Sequence, residues 1–362
     1  MNFFASLGRP DVLDLARQTH YFWALLPEIV LALGAMLVLI VDVVQKGSRS
    51  EDSTPLIPGL SLVVLAVTAL ANTALFGLTD RSSVGMMAVD GFRVFTNFVY
   101  LLSAAFAIAI SVGYLNRRGI MRGEFHALVL FATLGMMLMG GARDLIMTFI
   151  GLEVMSVSVY VLVGFDRMDP RSSEASLKYF LLGAFSSGFF LYGIALTFGA
   201  VGSTNLSSIA NSVGLSANSH PMLLMAGIAM MLVGFGFKTA AMPFHMWTPD
   251  AYDGAPTPVT ALMATGVKAA AFAAFIRVFV VAFAGASDQW VPVMWWLAAV
   301  TMVGANLIAV TQGSVKRMLA YSSIAHAGYL LMGVVAGTPR GISAMLIYLL
   351  IYAFMQLGAF AI

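Results

Sequence analysis

Six ionisable residues stand inside long apolar stretches of this sequence: Glu28, Glu153, Lys178, Lys238, Lys268 and Arg277. A charge at the centre of a membrane-crossing helix costs at least about 2.5–3.5 kcal/mol, so a chain keeps one only where it is paired, hydrated or functional. Glu153 lies in "DLIMTFIGLEVMSVSVYVLVGF" and Lys268 in "TGVKAAAFAAFIRVF", each near the middle of its run. A carboxyl and an amine that tune each other's proton affinity in an apolar setting are the parts of a proton relay. For Glu153 the competing reading is a structural ion pair, which needs a base at the same depth. Lys178, in "EASLKYFLLGAFSSGFF", is only a turn or so into its run, and snorkelling to the interface balances a functional role there. Arg277 lies nine residues past Lys268, about 13 Å along a helix, and reads as an interfacial side chain. So does Glu28, which follows Pro27.

Lys238 has a different setting. It sits in "GFGFKTAAMPFHMWTPDAYDGAPTP", with Gly234 and Gly236 before it and Pro243 five residues after. Proline lacks an N–H and disrupts the preceding turn. A helix broken at membrane depth survives only where protein or water satisfies the freed backbone groups, and in transporters such breaks mark ion paths. A span that simply ends at Pro243, with Lys238 snorkelling, is the alternative. Phe244, Met246, Trp247 and Tyr252 beyond the proline favour a segment that stays within the protein. His245 follows Lys238 by seven residues, about two turns, and His326 in "YSSIAHAGYLLMGVVAG" follows Tyr321 by five. A histidine at such depth suits a proton relay, although a neutral hydrogen-bonded histidine is the common structural case.

These side chains need membrane helices to hold them. The sequence has 362 residues, 60% hydrophobic and 10% charged, against roughly a quarter charged in soluble domains. Eleven runs approach the ~20 residues that a bilayer requires: 21–44, 57–78, 91–115, 124–142, 144–166, 174–200, 220–242, 257–284, 290–312, 316–337 and 340–362. The first is too long for a signal-peptide core. The last, "MLIYLLIYAFMQLGAFAI", ends without a polar stop and reads as an incomplete chain. The linker from Gly202 to His220 has no acidic or basic side chain. With no cysteine, the sequence offers no disulfide, cysteine-ligated iron–sulfur cluster or c-type haem. The net charge of +2 points to no nucleic acid.

Basic residues set the topology instead. Lys46, Arg49, Arg117, Arg118, Arg122, Arg167, Arg171, Lys316 and Arg317 outnumber Arg9, Arg17, Arg81, Arg93, Arg143 and Arg340 on the opposite side. The richer side is expected to be cytoplasmic and the N-terminus outside. Gly141 precedes Glu153 by twelve residues and Gly313 precedes His326 by thirteen, on runs of opposite direction. The expected organisation is three leading spans (1–123), a five-helix repeat (124–284) and part of a second, inverted repeat (285–362).

Four segments carry a family resemblance: "LFATLGMMLMGGARDLIMTFIGLEVMSVSVYVLVGF", "EASLKYFLLGAFSSGFFLYGIALTFGAVGSTNL", "GFKTAAMPFHMWTPDAYDGAPTPVTALMATGVKAAAFAAFIRVF" and "VKRMLAYSSIAHAGYLLMGVVAG". The chain resembles the subunit N family of the proton-pumping NADH–quinone oxidoreductase, respiratory complex I. The wording "PFHMWTPDAYDGAPTPVTA" suits that family better than its sister pump subunits or the cation/proton antiporter homologues. The resemblance implies an all-α polytopic membrane protein with an antiporter-like fold of inverted five-helix repeats and a broken helix, about eleven of fourteen helices being present. It implies that Glu153, Lys178, Lys238 and Lys268 are the proton-carrying residues, and that His245, Tyr321 and His326 line the hydrated axis. The implied activity is proton translocation coupled to quinone reduction elsewhere in the complex. No cofactor is expected on this chain; FMN and iron–sulfur clusters are expected on partner subunits. Implied partners are the other membrane-arm and peripheral-arm subunits, lipids, protons and the quinone used by the complex. The implied location is the bacterial inner (plasma) membrane, with a periplasmic N-terminus. A cation/proton antiporter subunit and a non-pumping scaffold are the alternatives.

Overall fold

The computed structural model describes residues 21–46, 56–77, 85–214 and 220–362. Arg9, Arg17, His20, Arg49 and Arg81, and the side chain of Lys46, lie outside the described residues, and with them part of the topology reading. Among the described residues, eleven helices are long and apolar enough to cross a membrane, and no strand forms beyond two isolated bridges.

In chain order the helices are α1 (Leu26–Lys46), α2 (Leu56–Ala74), α3 (Gly91–Arg118), α4 (Gly123–Gly141), α5 (Leu145–Val163), α6 (Pro170–Val201), α7 (Leu206–Gly214) and α8 (Pro221–Thr239). After them come α9 (Trp247–Gly254), α10 (Thr257–Leu262), α11 (Lys268–Phe275), α12 (Ser287–Ala309), α13 (Val315–Ala336) and α14 (Pro339–Ala361). Local chemistry sets their ends. Asp90 caps α3 through Arg93 N, and Asp144 caps α5 through Ile146 N. Asp169 precedes Pro170 at the start of α6, and Ser314 caps α13. These side-chain oxygens satisfy first-turn N–H groups that have no partner within the helix. Gly119, Gly202 and Gly337 end α3, α6 and α13 in the left-handed conformation, with φ of 66°, 77° and 57°, which costs glycine little.

Where helices cross closely, glycines face each other. A Cβ on Gly135 of α4 would meet the Gly151 carbonyl of α5 at 2.7 Å, and one on Gly193 of α6 would meet the Gly227 carbonyl of α8 at 2.8 Å. Small residues let backbones approach in this way and replace the hydrophobic drive that lipid removes. The span Thr257–Ala282 is buried on every side, whereas Ala284–Ala309 mostly faces outward. Lys268 therefore stands on the most enclosed span among the described residues. Two π-helical stretches, Met263–Val267 and Ile276–Ala282, flank its segment α11; such wider turns gather at functional sites.

The spans predicted from hydropathy correspond to these helices, with corrections. Within the linker Gly202 to His220 a short helix, α7, forms. Arg93, read above as a loop residue, is wholly buried in the first turn of α3. Glu28 is not interfacial: it is buried and pairs with Arg93 at 2.6 Å. Arg277 does not snorkel. Its guanidinium grips both carboxylate oxygens of Asp90 at 3.0 and 2.9 Å, and its Nε donates to the Gly140 carbonyl at 2.7 Å. Their partners lie 65 and 187 residues away in sequence, so hydropathy alone could not pair them.

Candidate proton-carrying axis

The broken helix builds the centre of the site. α8 stops at Thr239 because Ala240 adopts φ 61° and Pro243 follows, joined by a cis peptide to Met242. The groups this frees are satisfied by protein. Met242 N donates to Thr301 Oγ1 of α12 at 2.9 Å, and Trp247 Nε1 donates to the Phe237 carbonyl at 3.0 Å. That is the condition for irregular backbone at membrane depth. Pro243 and Met246 reach the chain's surface, while Trp247 and Tyr252 are buried.

Lys238, in the last turn of α8, is 3% exposed. Its Nζ donates to Ser156 Oγ of α5 at 2.7 Å. Three rings surround it: Tyr160 at 5.3 Å, Tyr179 at 5.4 Å and Phe237 at 5.8 Å from their centres. Tyr179 stacks on Trp247 with centroids 4.4 Å apart, so the break itself braces the cage. Glu153 precedes Ser156, the residue that holds Lys238, by three residues on α5, about one helical turn. Glu153 Oε1 is buried with no hydrogen-bond partner among the described residues.

Lys268 is 2% exposed. Its Nζ donates to the Ser323 carbonyl at 2.5 Å and to Ser323 Oγ, both on α13. Tyr352 of α14 lies with its ring 5.8 Å from the same ammonium. One turn beyond Ser323, His326 meets Tyr348 Oη through Nδ1. Neither Lys238 nor Lys268 has a carboxylate within 4.0 Å among the described residues. The structural ion pair that would explain them away is therefore not made.

Lys178 is placed apart from Glu153. It is 46% exposed and bonds to Glu174 at 2.7 Å and to Asp250 of α9 at 3.0 Å. Asp250 also holds Arg317 of α13 at 2.9 Å. Burial alone would raise the Asp250 pKa, but hydrogen bonds from Lys178 and Arg317 and their charges bring it below the ordinary carboxylate value. Beside this cluster, Lys316 donates to the Asp253 and Ala255 carbonyls at the end of α9, and Ser314 donates to Asp253. The charges line a cavity of about 190 Å³ with Arg171, Glu174 and Gly254. His245 is half-buried, and its Nδ1 makes no hydrogen bond among the described residues. Tyr321 lies one turn from Arg317, half-buried, and is not the partner of His326.

The geometry thus sets Glu153 one turn of α5 from the serine that holds Lys238, joins Lys268 and His326 through Tyr352, and sets Lys178 at a charged mouth. Sequence reading missed Ser156, Tyr160 and Tyr179 around Lys238, and Ser323, Tyr348 and Tyr352 around Lys268. The first two carried a signal: they follow Glu153 by three and seven residues, on one helical face. Among the described residues there is no group of three or more histidine or acidic side chains placed to hold a metal.

Residues 142–362 match a family described as NADH:quinone oxidoreductase/Mrp antiporter, transmembrane. The chain is 46% identical to NADH-quinone oxidoreductase subunit N of Trichlorobacter lovleyi over 95% of its own length and 70% of that protein. It is also 46% identical to subunit N of Gemmatimonas aurantiaca, over 94% of its length and 66% of that protein. Among solved structures it resembles a chain of respiratory complex I from Thermus thermophilus, with TM-score 0.75, 37% identity, and 92% and 69% of the two chains covered. A chain of the Mrp complex from Dietzia sp. shares the fold alone, with TM-score 0.81 at 24% identity, covering 94% of this chain and 64% of that one. The chain spans about two thirds of the length of these relatives. A broken helix braced at Thr301 and Phe237, two buried lysines held by hydroxyls, and these likenesses lead to one assignment: the chain belongs to the NADH-quinone oxidoreductase subunit N family of antiporter-like membrane proteins.

Proposed function

We propose that this chain translocates protons in the membrane arm of an NADH–quinone oxidoreductase, driven by quinone reduction on other subunits. The observation that carries the reading is the pair Lys238 and Lys268, both nearly unexposed, each held by a serine hydroxyl rather than a carboxylate. A hydroxyl accepts from a charged lysine and donates to a neutral one, so it serves both protonation states. A carboxylate would fix the charge.

In this reading protons enter on the side of Lys178, where Asp250, Glu174 and Arg317 keep a polar mouth. The charge on Glu153 biases Lys238 across one turn of α5. Lys238 hands its proton along the break to Lys268, which passes it through Ser323 to His326; His245 and Tyr321 line the route. The Ser/Tyr rotors need only exchange one hydrogen bond for another. FMN and iron–sulfur clusters belong to partner subunits, consistent with a sequence that has no cysteine to ligate a cluster. The location is a bacterial plasma membrane, with the Asp250 side cytoplasmic and the N-terminus periplasmic. The two inverted repeats begin at α4 and α12.

Glu153→Gln in the assembled complex, reconstituted into vesicles and supplied with NADH and quinone, tests the reading. Proton uptake should fall while electron transfer in the presence of an uncoupler continues. Unchanged proton uptake would overturn it. A cation/proton antiporter subunit would instead purify without flavin- and cluster-bearing partners.

A further inference from the structure

The segment "MLIYLLIYAFMQLGAF" of α14 places Tyr348, Tyr352 and Gln356 at four-residue steps. That spacing puts them on one face of the helix, each about one turn from the next. Tyr348 meets His326 through its hydroxyl. Tyr352 is 3% exposed, its ring 4.8 Å from the His326 ring, and its hydroxyl has no hydrogen-bond partner among the described residues. Gln356 is 1% exposed, and its Oε1 likewise has none. Buried polar oxygens carry a desolvation penalty that a hydrogen-bonded water relieves.

The direction of the stripe follows from topology. α13 starts beside Arg317 and ends at Ala336, Gly337 and Thr338 reverse the chain, and α14 returns. Gln356 lies eight residues past Tyr348 on the returning helix, about 12 Å along the axis. The stripe thus runs from the Lys268 and His326 level back towards the side that bears Asp250 and Arg317.

We propose that Tyr348, Tyr352 and Gln356 hold a file of water that conducts protons between the Lys268–Ser323–His326 cluster and the Asp250 side of the membrane, bypassing Lys238. The inference rests on the proton-translocating reading above. Each tyrosine hydroxyl accepts a proton on one lone pair as it releases its own, so no net charge accumulates. Gln356 does not titrate; its Oε1 accepts from water and its amide N–H donates, which orients the file. Lys268 then has a route of reprotonation separate from Lys238.

The test uses the assembled complex in vesicles, with Tyr352→Phe, Gln356→Leu, Gln356→Glu and, as a reference, Lys268→Met. Tyr352→Phe and Gln356→Leu should lower NADH-driven proton uptake by about twofold or more, increasingly so as the pH on the Asp250 side rises. Gln356→Glu, which keeps an oxygen for water, should retain uptake. A purely structural loss would be the same fraction at every pH and would overturn the proposal. So would normal uptake in Tyr352→Phe and Gln356→Leu while Lys268→Met fails; normal uptake in Lys268→Met would instead overturn the reading on which the proposal rests. If a variant does not assemble, ordered water imaged in the unaltered complex decides. Water on Tyr352 Oη and Gln356 Oε1 supports the branch, and protein side chains bonded to both oxygens overturn it.

Discussion

Lys238→Met should leave the complex assembled and lower the proton uptake that this chain contributes. The structure allows the two effects to be separated. The substitution removes a charged hydrogen bond to Ser156, 2.7 Å long and worth about 1.5–3 kcal/mol. It also removes the attraction of three rings 5.3–5.8 Å away, about 0.5–2 kcal/mol. Against these stands the cost of keeping an unpaired ammonium inside a span, about 2.5–3.5 kcal/mol, which methionine abolishes. The terms cancel to within about 2.5 kcal/mol. Ser156 is not orphaned, since its hydroxyl also donates to the Leu152 carbonyl at 2.5 Å. Methionine is long and flexible enough to fill the cage. Native electrophoresis should therefore show near-normal amounts of complex, and a pH-sensitive dye in vesicles should show reduced proton uptake per NADH oxidised. Failure of the Lys238→Met complex to assemble would refute the energetic reasoning, and normal uptake in an assembled complex would refute the functional one.

Other substitutions probe the frame. Glu28→Gln takes the charge partner from Arg93, a fully buried guanidinium that keeps hydrogen bonds to the Ala24 and Ala88 carbonyls, and should cost up to about 3–5 kcal/mol, whereas Glu28→Leu with Arg93→Met should restore most of it; complex yield and thermal melting report both. Asp90→Asn should weaken the clamp on Arg277 by about 1 kcal/mol, a figure reduced because the Asp90 side chain is 41% exposed. Burial alone would raise the Asp90 pKa, but Arg277 and Arg93 pull it below the ordinary 3.8. Its contribution is therefore present above about pH 4 and lost as pH falls through the depressed value, so unaltered and Asp90→Asn complexes should converge in melting temperature on acidification. Gly135→Leu drives a side chain into the Gly151 carbonyl and the Met155 backbone and should abolish assembly, read as absence of the complex on a native gel.

Much of the architecture was legible because a bilayer imposes length and polarity together. Eleven apolar runs correspond to eleven helices, and Pro243 announced the break. The burial of Lys268 was legible for the same reason, since it lies near the middle of its apolar run, whereas for Lys238 the sequence left snorkelling open. What could not be read was pairing. Hydropathy places Glu28 and Arg277 near a membrane face but says nothing of Arg93 or Asp90, which come from other helices. For Lys178 the sequence left snorkelling and function in balance, and only the fold shows that α9 brings Asp250 to it. The cage of Tyr160 and Tyr179 arises where α5, α6 and α8 meet, and only the three-dimensional crossing brings those rings to Lys238.

The central claim is that two hydroxyl-held lysines carry protons through this chain. The proton-to-electron ratio of vesicles bearing the complex with both Lys238→Met and Lys268→Met tests it most directly. The ratio should fall below that of the unaltered complex while NADH oxidation persists under uncoupled conditions. An unchanged ratio in a fully assembled double variant would contradict the account.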